Sequence, residues 1–106
     1  YYLSYACFYP NQTLRQVYSG YLNGAIGQID DYSRIAWKKE LVARKNLKYD
    51  VTIESREEWE NPLKVSYIWN GENELTIDLA LVTSRSYTFR SKNGGIEVVF
   101  WACRDC

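Results

Sequence analysis

Histidine is absent from the 106-residue chain, which removes catalytic triads, histidine metal sites and any proton relay through imidazole near neutral pH. Methionine is absent as well, position 1 included, so the chain reads as a mature product already trimmed of a leader. No apolar run approaches the ~20 residues that carry a helix across a bilayer, and no membrane contact is expected. Neither sign of charge is in excess: thirteen Lys and Arg offset thirteen Asp and Glu. A neutral chain lacks the electrostatic footprint of a dedicated nucleic-acid binder, so polyanion binding would need a local patch. Gly-rich phosphate loops, serine-nucleophile motifs and carboxylate metal loops are missing, and no metal or cofactor is expected. The length leaves room for one core, hence a single domain over residues 1–106. What is abundant is aromatic: ten Tyr, four Trp and three Phe make up 16% of the chain.

Cysteines occupy only the two ends, at Cys7, Cys103 and Cys106. The spacing of Cys103 and Cys106 is that of a redox or metal pair, but redox pairs open a helix, and a zinc site needs about four ligands. The competing reading is a bridge from the first strand to the last. Closing a loop of roughly 100 residues in the unfolded chain stabilises by about 4 to 5 kcal/mol in the chain-entropy model. Cys103 ends the apolar run 96–102, where a partner strand would hold it in register, whereas Cys106 lies beyond Arg104 and Asp105 in a tail. The expected pair is Cys7 with Cys103, and with it a secreted protein and a likeness to other oxidised extracellular domains. Asn11 opens a glycosylation triplet with Gln12 and Thr13, although such triplets also arise by chance.

Residues 1–9 are aromatic and read as a strand or short hairpin ended by Pro10. Thr13 and Gln16 have the spacing of a capping box, so a helix is expected to begin there. Its stripe is Leu14, Val17, Tyr18, Tyr21, Leu22, Ala25 and Ile26, spaced three and four apart, with Gly27 at or near its C-cap. From residue 36 onward the apolar period changes to two. Leu47, Tyr49, Val51 and Ile53 form one alternating strand, and Val65, Tyr67 and Trp69 a second, followed by the turn signal Asn70-Gly71. Leu75, Ile77, Leu79 and Leu81 return, faced by Thr76, Asp78 and Ala80. Residues 86–90 and 96–103, joined through Asn93, Gly94 and Gly95, make a last hairpin. Its second arm is apolar enough to be central and covered on both faces. The expected fold is α+β: one N-terminal α-helix packed on a curved antiparallel β-sheet.

Two clusters draw functional attention. Between Lys38 and Lys48 stand five basic residues, Lys38, Lys39, Arg44, Lys45 and Lys48, against one acid, Glu40, a local charge of +4 beside Trp37. Trp37, Lys38, Lys39, Arg44 and Lys45 are candidate partner contacts, since large aromatic and Arg side chains are the usual anchors of protein interfaces. A phosphate-binding patch is the second use of the same residues, and a solvated loop face the uneventful one. Glu57 and Glu58 beside Trp59 are the only crowded carboxylates, but neighbours on a strand point to opposite faces and do not cooperate in proton transfer.

The layout as a whole resembles the small guanyl-specific fungal ribonucleases. Tyr5-Ala6-Cys7 stands near the start, a helix follows at once, then strands, then a last strand ending in Cys. Glu57-Glu58-Trp59-Glu60-Asn61-Pro62-Leu63 looks like their catalytic strand, with Glu58 in the place of the general base. The stretches from Trp69 to Leu75 and from Val99 to Cys103 look like the later hairpin and the closing strand. The departures are chemical: the family's Arg falls near Ser66, and the strand that bears its catalytic His corresponds to residues 79–84, which hold no imidazole. General acid catalysis alone contributes about 10² to 10⁴ in rate, so no enzymatic activity is expected, with Glu58 a vestige. A closer resemblance is to the RNase-like secreted effectors of cereal powdery mildew fungi, whose mature chains open on a Tyr-x-Cys motif, here Tyr5-Ala6-Cys7. That likeness implies an avirulence or virulence protein, secreted and delivered into the host plant cell cytoplasm. There it would act as a monomeric pseudoenzyme that binds host plant proteins and is recognised by an NLR immune receptor. A pseudo-ribonuclease that binds RNA without cleaving it is the alternative.

Overall fold

The computed structural model describes residues 2–29, 31–38, 41, 48–53, 63–80 and 83–104. The aromatic opening forms β1 (Tyr2–Pro10), and the capping box behind it starts α1 (Leu14–Asn23). The Thr13 hydroxyl accepts the Gln16 backbone N–H at 3.2 Å, while the Gln16 side chain accepts the Thr13 N–H at 2.8 Å. Two otherwise orphaned donors are thereby satisfied. A helix of ten residues is marginal alone, and Gly20 within it costs about 1 kcal/mol relative to Ala. Packing outweighs both deficits. Leu14, Val17, Tyr18 and Tyr21 are buried, and burial of each large apolar side chain contributes about 1.5–3 kcal/mol.

α1 stops three residues before the expected Gly27. Gly24 takes the left-handed conformation at φ +81° and donates its N–H to the Tyr21 carbonyl at 3.3 Å. The chain then folds back, with the Ile26 N–H on the Gly20 carbonyl at 3.2 Å and the Ile26 side chain in the space a Cβ at position 20 would need. Ala25, assigned to the buried stripe by its spacing, is exposed as a result. A short second helix, α2 (Asp31–Ala36), follows.

The remaining elements are β2 (Lys48–Ile53), β3 (Leu63–Trp69), β4 (Glu74–Ala80), β5 (Thr83–Lys92) and β6 (Gly95–Arg104). They form one antiparallel sheet in the order β1-β6-β5-β4-β3-β2, a meander whose last strand pairs with the first. The hairpin of β5 and β6 turns through Asn93 and Gly94, both at positive φ. That is the conformation a two-residue turn needs to match strand twist. The α+β class read from the sequence holds, with one further small helix.

Register sorts the side chains into two faces. Trp69, Leu75, Phe89 and Val98 lie opposite one another from strand to strand, as do Tyr67, Ile77, Tyr87 and Phe100. These rows are buried, with α1 and α2 above them. The alternate positions form a second face on which no helix is seen among the described residues. β6 is interior, between β5 and β1, as its composition indicates. Its Val99 and Trp101 on the second face are only half-buried, however, so the strand is covered on one side and not on two.

The expected bridge between Cys7 and Cys103 is not formed. Cys7 is a free, exposed thiol, and Cys103 is in a disulfide that excludes it. Register gives the reason: Cys7 lies opposite Val98 and Cys103 opposite Tyr2. The two are therefore five positions apart along the ladder, roughly 17 Å at strand rise, and on opposite faces. A disulfide needs Cα atoms within about 7 Å. The ends of the chain are joined by the ladder itself, in which each residue of β1 has a partner on β6 from Tyr2 with Cys103 to Pro10 with Gly95.

Candidate functional site

Trp37 is not a surface anchor. It is 3% exposed, stacked on Tyr18 with ring centroids 5.4 Å apart, and edge-on to Tyr87 at 5.0 Å. The lysines next to it in sequence made the segment look solvated, but its indole is the lid of the aromatic core. Lys38 is half-buried and acts through its main chain: its N–H donates to the Tyr67 hydroxyl at 2.7 Å, and its carbonyl accepts from the Tyr18 hydroxyl. Burial pushes the Tyr18 hydroxyl far above the ordinary phenol range, with the neighbouring Tyr67 adding to the effect. Its proton is therefore committed to that hydrogen bond at all ordinary pH. Lys39, Arg44 and Lys45 lie outside the described residues, as does Glu58 with the whole of 54–62.

What the strands do assemble is the helix-free face of the sheet. Across its middle, Ile68, Thr76, Thr88, Val99 and Ala6 follow one another from β3 to β1. The Thr76 and Thr88 hydroxyls are 3.0 Å apart, a cross-strand hydrogen bond of the kind that stabilises antiparallel pairs. Beside this row run Ser66, Asp78, Ser86, Trp101 and Ser4. Ser66 is half-buried, and Ala80 is an exposed methyl on the same face. These residues were visible in the sequence only as the polar partners of core positions. The period-two alternation at Thr76, Asp78 and Ala80 carried the signal.

An ion-pair cluster lies at one end of this face. The Arg90 Nε donates to Glu74 at 2.6 Å, and its Nη1 to Glu97 at 3.2 Å, while the Lys92 ammonium reaches Glu97 at 3.4 Å. Hydrogen bonds from Arg90 and then from Asn70 hold the Glu74 carboxyl below its usual range. Both charges are matched, so the cluster is a clamp across three strands and not a store of reactive protons. Two clefts flank the sheet. One, of about 470 Å³, lies between the start of α1 and the β5–β6 turn, with Gln12, Thr13, Asn73 and Lys92 in its walls. The other, of about 410 Å³, is enclosed by Tyr5, Cys7, Tyr21, Gly27 and Gln28. Neither brings together a base and an acid.

Among the described residues no group of three or more Cys, Asp or Glu is placed to hold a metal ion, and no helix is long and apolar enough to cross a membrane. On the helix-free face Asp78 stands among serine and threonine hydroxyls, in one row with Ser66 and Ser86. Such a surface can exchange hydrogen bonds with the polar groups of a partner. Comparison with known proteins finds no matching family model, no matching curated protein and no matching solved structure.

Proposed function

We propose that the chain is a non-enzymatic interaction protein: a secreted fungal virulence effector on an RNase-like scaffold, acting inside plant host cells by binding host proteins and open to detection by an NLR immune receptor. One observation carries the loss of catalysis. The strands that would present a nuclease's reacting groups present Ser66, Thr76, Ser86, Thr88 and Ala80 instead, in a chain without histidine. Folding survives such replacements because the core and the helix-free face draw on alternate residues of the same strands. With Trp37 in the core, the contact surface moves to that face, where Trp101 and the hydroxyl rows offer a half-buried aromatic beside short polar groups.

The test is capture of partners from plant tissue on the folded, oxidised protein, alongside an RNA cleavage assay. A discrete host protein retained by the wild type and lost with Ser86→Arg or Thr88→Arg supports the proposal, provided both variants keep the native circular dichroism spectrum. Cleavage of RNA above background overturns it. Retention of RNA instead, with affinity falling steeply as salt rises, would assign the face to phosphate recognition.

A further inference from the structure

The first 29 residues carry one charged side chain, Arg15, although charged residues are 25% of the chain. β1 lies wholly within that neutral stretch and forms one end of the sheet, pairing with β6 alone among the described strands. Its outer edge therefore presents alternate unpaired N–H and C=O groups along nine residues. Three large apolar side chains border that edge: Leu3 and Tyr5 on the helix-bearing face, 44% and 42% exposed, and Phe8 on the other, 46% exposed.

Natural sheets guard such edges with charges, bulges, prolines or brevity. Apart from its terminal Pro10, β1 has none of these within its length. Its register with β6 is one-to-one throughout, its proline is its last residue, and it bears no Lys, Arg, Asp or Glu. The opposite edge is guarded: β2 is six residues long and includes Lys48 and Asp50.

We propose that β1 is a self-association strand, through which two copies of the chain pair antiparallel across a two-fold axis. Charge selects this occupant. A second β1 meets the first with no like charges opposed, whereas an acidic or basic peptide would find no counter-charge on the strand. An isologous antiparallel pair also matches the patch with itself. Centring the axis on Ala6 aligns all nine residues. It sets Tyr5 opposite the partner's Cys7, Ser4 opposite the partner's Phe8, and Leu3 opposite the partner's Tyr9. Aromatic and aliphatic side chains then cover the new ladder on both faces, the arrangement by which cross-strand pairs stabilise sheets. One strand and three flanking side chains make a contact smaller than the ~800 Å² per partner of a standard interface, so the dimer is a weak, micromolar one. This departs from the monomer that the family resemblance implies.

Sedimentation velocity on the whole chain from low micromolar to near-millimolar concentration, in reducing buffer, is the test. The weight-average mass is expected to rise from 12.5 kDa toward twice that value. Tyr5→Lys and Phe8→Lys, both at exposed positions, are expected to raise the dissociation constant at least tenfold with unchanged thermal melts. Thr88→Lys, in mid-sheet on the helix-free face, is expected to leave it unchanged. A mass constant at 12.5 kDa overturns the proposal, as does a dimer indifferent to both edge lysines or one that disappears in reductant. Should either lysine variant misfold, amide exchange on the wild type decides: outer-edge amides of β1 must slow with rising concentration.

Discussion

The two faces of the sheet are built from the same strands and differ in what holds them. On the helix-bearing face, Phe89, Tyr67, Leu75 and Val98 are almost fully enclosed, and the rings of Tyr18, Tyr21 and Trp37 converge on Phe89 within 6.0 Å. On the other face, short hydroxyls and an ion-pair cluster lie in partial contact with water. Apolar burial scales with area removed from solvent, while exposed charge pairs contribute little. Stability therefore resides on one side of the sheet, leaving the other side free to change.

The difference is broken most severely by Phe89→Ala. The loss of a fully buried ring is expected to cost about 3–5 kcal/mol, a large part of a small domain's stability, and denaturant titration will show it as a collapse of the transition midpoint. High pH attacks the same side. Burial raises the Tyr18 and Tyr21 hydroxyls well above their ordinary value of 10.0, and the hydrogen bond shared with Tyr9 adds to the effect at Tyr21. Below pH 10 both are neutral in the folded and unfolded chains. Above it the unfolded chain ionises while the folded one resists, so stability falls as pH rises, and the melting temperature followed from pH 8 to 11 should drop beyond 10. Thr13→Ala, which removes a cap at the rim of the core, is expected to lower stability by about 1 kcal/mol, or ~4–8 °C in the melting temperature. The smallest effect falls on the helix-free face. Because Arg90 is half exposed, Glu74→Gln is expected to cost well under about 1 kcal/mol at neutral pH. The Glu74 carboxyl titrates below its ordinary value when folded, so its contribution is complete above that value and fades as pH falls through the lowered one. The variant should therefore flatten the acid limb of stability against pH. A loss as large as that of Phe89→Ala would show that the helix-free face does hold the fold.

Much of this division was legible in the residues. Thr13 and Gln16 announced α1, and the alternation at Val65, Tyr67 and Trp69 and at Leu75, Ile77 and Leu79 located two strands and the positions that face the core, because a pleated strand leaves no choice of which residues share a side. Three things were hidden. α2 spans six residues, too few for a 3.6-residue period to declare itself. Trp37 was read by its charged neighbours, whereas its place is decided by Tyr18, Tyr87 and Phe89, distant in sequence. Cys103 was paired by its nearness to an apolar run, and such nearness says nothing about which face a sulfur occupies or how far along the ladder its candidate partner lies. Trp37 and the Cys7–Cys103 pair, both judged from local composition, were misplaced, since composition carries no information about what returns from the far end of the chain.

The grip on Lys38 has a corollary for substitution at that position. Two tyrosines, one from the helix layer and one from the sheet, hold that residue by amide and carbonyl, so this anchorage runs through its main chain. Proline at position 38 would break that anchorage, because it has no N–H for the Tyr67 hydroxyl.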